Sequence, residues 1–153
     1  MSQRLIATNR KARHEYHIIE RFEAGIALKG TEVKSIREGK ISIKEAFGTV
    51  ERGEIFLQNA HISPYEKGNR WNQPERRPRK LLLHQREIKR LIGGVTRKGF
   101  TIVPLTVYFN ERGIAKLEIA LAKGKKTYDK REDIKRRDLD REARRERKYY
   151  ADR

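Results

Sequence analysis

The chain has 153 residues and carries 38 Lys and Arg against 21 Asp and Glu, a formal charge of +17. Such an excess calls for a polyanionic partner, because counterions released from phosphates drive binding. The absence of Cys excludes disulfides, thiol catalysis and zinc knuckles together. No window has the apolar run of a membrane-spanning helix, and the N-terminal stretch lacks the apolar core of a signal peptide, so a cytoplasmic protein without a membrane partner is expected.

In chain order, Asn9, Arg10, Lys11 and Arg13 put three cations and an amide ahead of a predicted strand over 14–20, with a second strand over 24–28. Cations hold phosphates, and an Asn amide can read a base edge or a 2′-OH. An ordinary basic arm has the same composition. Thr31 is placed to cap a short helix that carries Val33 and Ile36 on one side and stops at Gly39. Residues 47–50 and 54–60 flank Arg52-Gly53 and read as a hairpin.

Residues 62–80 are a polar loop with three of the four prolines and the only Trp. Its Arg70, Trp71, Arg76, Arg77, Arg79 and Lys80 suit base stacking among cations, although Pro-rich polar loops are usually just solvated. A helix is predicted over 85–92, with Ile88, Leu91 and Ile92 on one stripe and Gly93-Gly94 ending it. The strand over 101–109 would set Thr101, Val103, Leu105, Val107 and Phe109 on one face. Pro104 lacks an N–H, which puts this strand at an edge or a bulge. A turn over 110–113 leads to a clean alternation over 114–122, with Ala115, Leu117, Ile119 and Leu121 inward. The pattern is mainly β with short helices, a small closed barrel or a sandwich.

The division expected is a basic body over 1–122 with its own anion-binding surface and a tail over 123–153. The tail holds 14 of the Lys and Arg and 8 of the Asp and Glu, but only Ile134, Leu139 and three tyrosines as large apolar side chains. That is too little to hold a helix against a core. Three acid-before-base pairs four residues apart, Glu132 with Arg136, Asp133 with Arg137 and Asp140 with Arg144, nevertheless favour helix. The tail reads as disordered alone and helical once RNA neutralises it.

Catalytic patterns are missing. There is no Gly-rich phosphate loop ending in Lys-Ser/Thr, no Gly-x-Ser-x-Gly and no His-Glu-x-x-His. His14 and His17 fall on opposite faces of the predicted strand, and His61 and His84 are isolated, so no metal site, cofactor or enzymatic activity is expected.

Five segments in order carry a family resemblance: NRKARHEY at 9–16, EAGIALKGTEVKSIREGK at 23–40, NAHISPY at 59–65, RKLLLHQREI at 79–88 and GKKTYDKR at 124–131. The sequence resembles the SsrA-binding protein (small protein B) family from about Asn9 to Lys135. The resemblance implies an oligonucleotide-binding-like closed antiparallel β-barrel with two to three short helices and a basic tail that becomes helical on the ribosome. It implies a monomer that binds the tRNA-like domain of transfer-messenger RNA and delivers it to stalled ribosomes for trans-translation. The RNA-binding positions it implies are Asn9, Lys11, Arg13, Glu32, Lys34, Ser35 and Arg37. An acid among these can accept from base amino groups or orient Lys34 and Arg37.

Gly124, Lys125, Lys126, Tyr128, Asp129, Lys130 and Arg131 are implied to meet the decoding centre and empty mRNA channel of the small ribosomal subunit. The family often has His where Tyr128 stands; Tyr keeps the ring for stacking and lacks the titratable cation. On the residues alone, a ribosomal protein with a basic extension stays open as the alternative.

Overall fold

The computed structural model describes residues 3–124. Its elements run β1 Arg4–Thr8, α1 Arg10–Glu15, β2 Tyr16–Ile26, α2 Gly30–Arg37, β3 Ile41–Ser42, β4 Phe47–Glu51, β5 Glu54–Gln58, β6 His61–Ile62, a 3-10 turn Glu66–Trp71, β7 Arg79–Leu82, α3 Gln85–Lys98, β8 Thr101–Phe109 and β9 Ala115–Gly124.

Seven strands form one antiparallel sheet in the order β1-β8-β4-β5-β7-β2-β9, and β9 pairs again with β8. The sheet therefore closes on itself, with β1 laid beside β4 on the free edge of β8. Closure is strong on one side and thin on the other. β2, β9 and β8 share long ladders, whereas β5 meets β7 at two residue pairs and β4 meets β8 at Gly48 and Ile102 alone. This is the closed mainly β architecture expected, as a ring with a seam more than an even barrel.

The main core fills the ring with Phe22, Ile55, Leu57, Leu81, Ile102, Val107, Leu117 and Ile119, closed by Ile36 of α2 and Leu91 of α3. A smaller cluster lies on the other side of the β8–β9 ladder, where Val103, Leu105, Ala120 and Ala122 pack under Ala12 of α1.

Local chemistry explains the elements and several departures from expectation. The β4–β5 turn is built by Arg52 and Gly53, both with positive φ, as a tight hairpin requires. The two strands expected over 14–20 and 24–28 are one strand, β2, and residues 14 and 15 belong to the helical turn before it, because Asn9 caps 10–15 in a way that alternation alone does not reveal. Thr31 is not the cap of α2. The helix starts at Gly30 with Lys29 as its cap, two residues ahead of the expected position, and the Glu32 carboxylate accepts the Lys29 N–H at 2.9 Å.

α3 runs through Gly93-Gly94 to Lys98 and ends at Gly99, whose φ of 68° is the left-handed C-cap. Gly94 serves packing here: a Cβ on it would sit 2.7 Å from Leu121 Cδ1. Pro104 does mark a bulge. The β8–β9 register jumps between Pro104 and Thr106, so Leu105 is the extra residue. The bulge splits the expected single face: Val103 and Leu105 face the small cluster, while Val107 and Phe109 face the main core. The polar stretch 62–80 is partly ordered by the 3-10 turn and by the start of β7.

Candidate nucleic-acid interface

α1 is pinned to the body by one side chain. Asn9 Oδ1 accepts the Ala12 N–H at 3.1 Å, and Asn9 Nδ2 donates to the Ile43 carbonyl at 3.2 Å and the Pro104 carbonyl at 3.0 Å. Its own N–H donates to the Leu105 carbonyl at 2.7 Å. The bulge thus presents two carbonyls, and Asn9 satisfies both. The Asn9 side chain is buried and fully engaged inside the protein. Lys11 and Arg13 point outward from the same helix. Lys11 Nζ lies 3.4 Å from Glu45 across a cleft of about 230 Å³ that also has Lys44, Tyr16 and exposed Phe47 in its walls.

α2 divides its four expected contact residues by face. Glu32 and Ser35 point inward; Lys34 and Arg37 are exposed. Glu32 is the hub of a buried ion network. Its Oε1 lies 2.5 Å from Arg77 Nη2, and its Oε2 lies 2.7 Å from Arg79 Nη2 and 2.8 Å from Arg79 Nε. Burial raises the Glu32 pKa, but hydrogen bonds from Arg77, the Lys29 N–H and Arg79 outweigh it and hold the carboxyl below its ordinary value. Glu32 therefore orients Arg77 and Arg79 in place of the Lys34 and Arg37 named for it. Arg79 also donates to the Ala60 and Glu75 carbonyls, which fastens the stretch 59–79 beneath α2. Ser35 Oγ is buried with no hydrogen-bond partner among the described residues.

What this network holds in place is a cationic cleft of about 400 Å³ at the start of α2. Lys29, Lys34, Lys67 and Tyr65 line it with Gly30, and no acidic residue does. Lys34 Nζ sits 5.5 Å from the centre of the Tyr65 ring, a cation–π contact. Asn72 fixes the loop behind Tyr65, accepting its N–H at 2.8 Å and donating to its carbonyl at 2.9 Å. Arg37 lies over Phe109, and its carbonyl accepts from Arg4.

The loop cations expected to surround a base are mostly spoken for. Arg79 is buried, Arg77 pairs with Glu32, Arg76 donates to Asn59, and Lys80 pairs with Glu54. The side chains of Arg70 and Trp71 lie outside the described residues, as do Lys125, Lys126, Tyr128, Asp129, Lys130 and Arg131. Gly124 is the last residue of β9 and pairs with Tyr16. Lys29, Tyr65 and Lys67 were not singled out by sequence reasoning. Tyr65 ends the matching segment 59–65, and nothing in its spacing connects it to Lys34.

Three separated segments, 23–40, 59–65 and 79–88, thus converge around Glu32, and they are segments on which the resemblance rests. The family model described as "SmpB protein" matches residues 6–149. The chain belongs to the SmpB family. An SsrA-binding protein of Moorella thermoacetica is 60% identical over 139 residues, covering 91% of this chain and 90% of that one. That of Carboxydothermus hydrogenoformans is 59% identical, covering 92% and 93%. A solved chain described as "tmRNA-SmpB: a journey to the center of the bacterial ribosome" is 54% identical, covers 92% of this chain and 95% of its own, and superposes with a TM-score of 0.67. Among the described residues no helix is long and apolar enough to cross a membrane, and no group of three or more His, Cys, Asp or Glu is placed to hold a metal.

Proposed function

We propose that this chain is an RNA-binding adaptor. It holds the tRNA-like domain of transfer-messenger RNA on its body and carries it to stalled ribosomes, while the segment after Gly124 enters the decoding centre and the vacant mRNA channel. The observation that carries the reading is the acid-free cleft of Lys29, Lys34, Lys67 and Tyr65, in a family whose relatives are named for binding SsrA.

Three cations suit phosphates, and the ring offers a face on which an unpaired base can stack. RNA of defined shape is read in this way, through phosphates, 2′-hydroxyls and splayed bases. Glu32 supports the reading by lying under the cleft rather than in it, so the acid spends its charge on Arg77 and Arg79. The segment after Gly124 is assigned the second partner because its composition favours helix only when its charge is neutralised. No bond is made or broken by the protein in this scheme.

The test is a chain ended after Gly124, which keeps all of β9. Its affinity for the tRNA-like domain should stay within about threefold of the full chain, less the salt-dependent part contributed by lost phosphate contacts. Tagging of nascent chains on ribosomes stalled at a truncated message should disappear. Collapse of binding to the tRNA-like domain, or equal affinity of the full chain for rRNA fragments at matched salt, would overturn the adaptor reading in favour of a general RNA-binding module.

A further inference from the structure

Tyr65 lies in a loop, yet its main chain is bonded as if it lay inside a sheet. The Asn72 side chain takes the place of a neighbouring strand. Its Oδ1 accepts the Tyr65 N–H at 2.8 Å, and its Nδ2 donates to the Tyr65 carbonyl at 2.9 Å. Two facing residues of an antiparallel ladder exchange bonds in this way. The same carbonyl accepts the Gly68 N–H at 2.8 Å, which closes the turn between them and uses the second lone pair of that oxygen.

Gly68 makes the arrangement possible. A Cβ on it would lie 3.0 Å from Nδ2 and from Oδ1 of Asn72, and 2.9 Å from Thr31 Cγ2. The missing side chain leaves room for Asn72 on one side and for α2 on the other. Thr31 and Lys34 are three residues apart on α2 and so share a face. A loop seated on Thr31 therefore brings Tyr65 to Lys34, whose Nζ is 5.5 Å from the ring centre.

An Asn that bonds main chain in a loop usually serves the loop alone. Two observations set Asn72 apart. The main chain that it captures belongs to the residue carrying the aromatic ring of the cleft. Thr31, Gly68 and Gln73 line that cleft beside Tyr65, whereas Asn72 does not line it. Asn72 is thus placed to act on a ligand through Tyr65 and not by touching it.

We propose that Asn72 is a positioning residue for RNA. It presets Tyr65 so that the ring meets an unpaired base while Lys34 and Lys67 hold the adjoining phosphates. The inference rests on the adaptor reading and deepens it, because it names the group that readies the stacking ring before RNA arrives. A ring fixed in advance spares the complex the cost of ordering it on binding.

The test is a double-mutant cycle on the full chain, with the tRNA-like domain as the probe. Asn72→Ala should weaken binding about fivefold, with the salt slope unchanged because no phosphate contact is lost. In a Tyr65→Ala background the same substitution should weaken binding by less than about 1.5-fold. Amide exchange supplies a readout without RNA: Asn72→Ala should speed exchange of the Tyr65 N–H and leave the amides of α2 protected.

Equal losses in the two backgrounds would make Asn72 a support of the loop in general and would overturn the proposal. Wild-type affinity in Asn72→Ala would do the same, as would lost protection in α2. If Tyr65→Ala alone binds as the wild type does, the stacking role of the ring falls and the proposal falls with it. A failure of the adaptor reading shows elsewhere: the wild-type protein itself would not prefer the tRNA-like domain to rRNA fragments.

Discussion

Glu32 and Arg79 form a buried ion pair across 47 residues of chain, with the Glu32 carboxylate 2.7 Å from an Arg79 nitrogen and both side chains almost fully enclosed. Arg77 completes the arrangement from the more exposed side. Removing one member of such a set strands the others, which costs about 3 to 5 kcal/mol. Glu32→Ala should therefore lower stability by about 3 kcal/mol or more, read as a fall in the urea midpoint. The sign of the pH dependence follows from the lowered Glu32 pKa. A carboxyl held low in the folded state contributes its stability above the ordinary value of 4.5 and loses it as pH falls through the folded value. The gap between wild type and Glu32→Gln should be full at neutral pH and shrink below pH 4.5. A gap that stayed constant down to pH 3, roughly, would contradict the assigned network.

Asn9 makes the case for a residue that acts through another. Its amide is spent on Ala12, Ile43 and Pro104, so it holds Lys11 and Arg13 in place without facing solvent. Asn9→Ala leaves two carbonyls unsatisfied and removes a helix cap, a loss of about 2 to 3 kcal/mol. Asn9→Asp keeps the cap but points a carboxylate at those carbonyls, and should be the less stable of the two at neutral pH. Thermal unfolding of both variants decides the point, and an Asp variant as stable as wild type would show that the amide donors are idle.

The cleft at α2 predicts a different signature. Lys34→Gln with Lys67→Gln removes two exposed cations that lie in no internal ion pair among the described residues. Stability should change by less than about 0.5 kcal/mol, while affinity for the tRNA-like domain should fall about tenfold and the salt slope by about 2. Tyr65→Ala should cost about 1 to 3 kcal/mol in binding if its ring carries a stacked base. Filter binding across a salt series separates the two effects, since loss of stacking leaves the slope alone.

The strand β9, whose sequence alternates cleanly, and the Arg52-Gly53 hairpin were legible because their signals are local. Each residue's neighbours along the chain suffice to place it. What escaped needed contacts at long range. Leu105 faces the small cluster because Pro104 forces a bulge, and which way the face would switch depends on α1 packing against it. Gly93-Gly94 read as a helix stop because a glycine demanded by Leu121 looks the same as one that ends a helix. The segments flanking the α2 cleft were recognised as family-like, but Glu32 was read as facing RNA. Its partners stand 45 and 47 residues away, where no periodicity points.

The seam of the ring gives the last prediction. β4 and β8 meet through one residue pair, Gly48 and Ile102. A Cβ on Gly48 would fall 2.4 Å from Ile102 Cγ2 and 2.7 Å from its Cβ, and Ile102 is locked in the core at 1% exposure. Ile102 is stiff at its first torsion and cannot turn aside, so the strands must part. Gly48→Ala should cost about 1 to 3 kcal/mol. The loss should be local in origin: amide protons of β4 and β5 exchange faster, while those of the β2–β9 ladder, which shares no residue with the seam, keep their protection until global unfolding. Uniform loss of protection across all strands would mean that the ring opens as one unit and that the thin pairing is not its weak point.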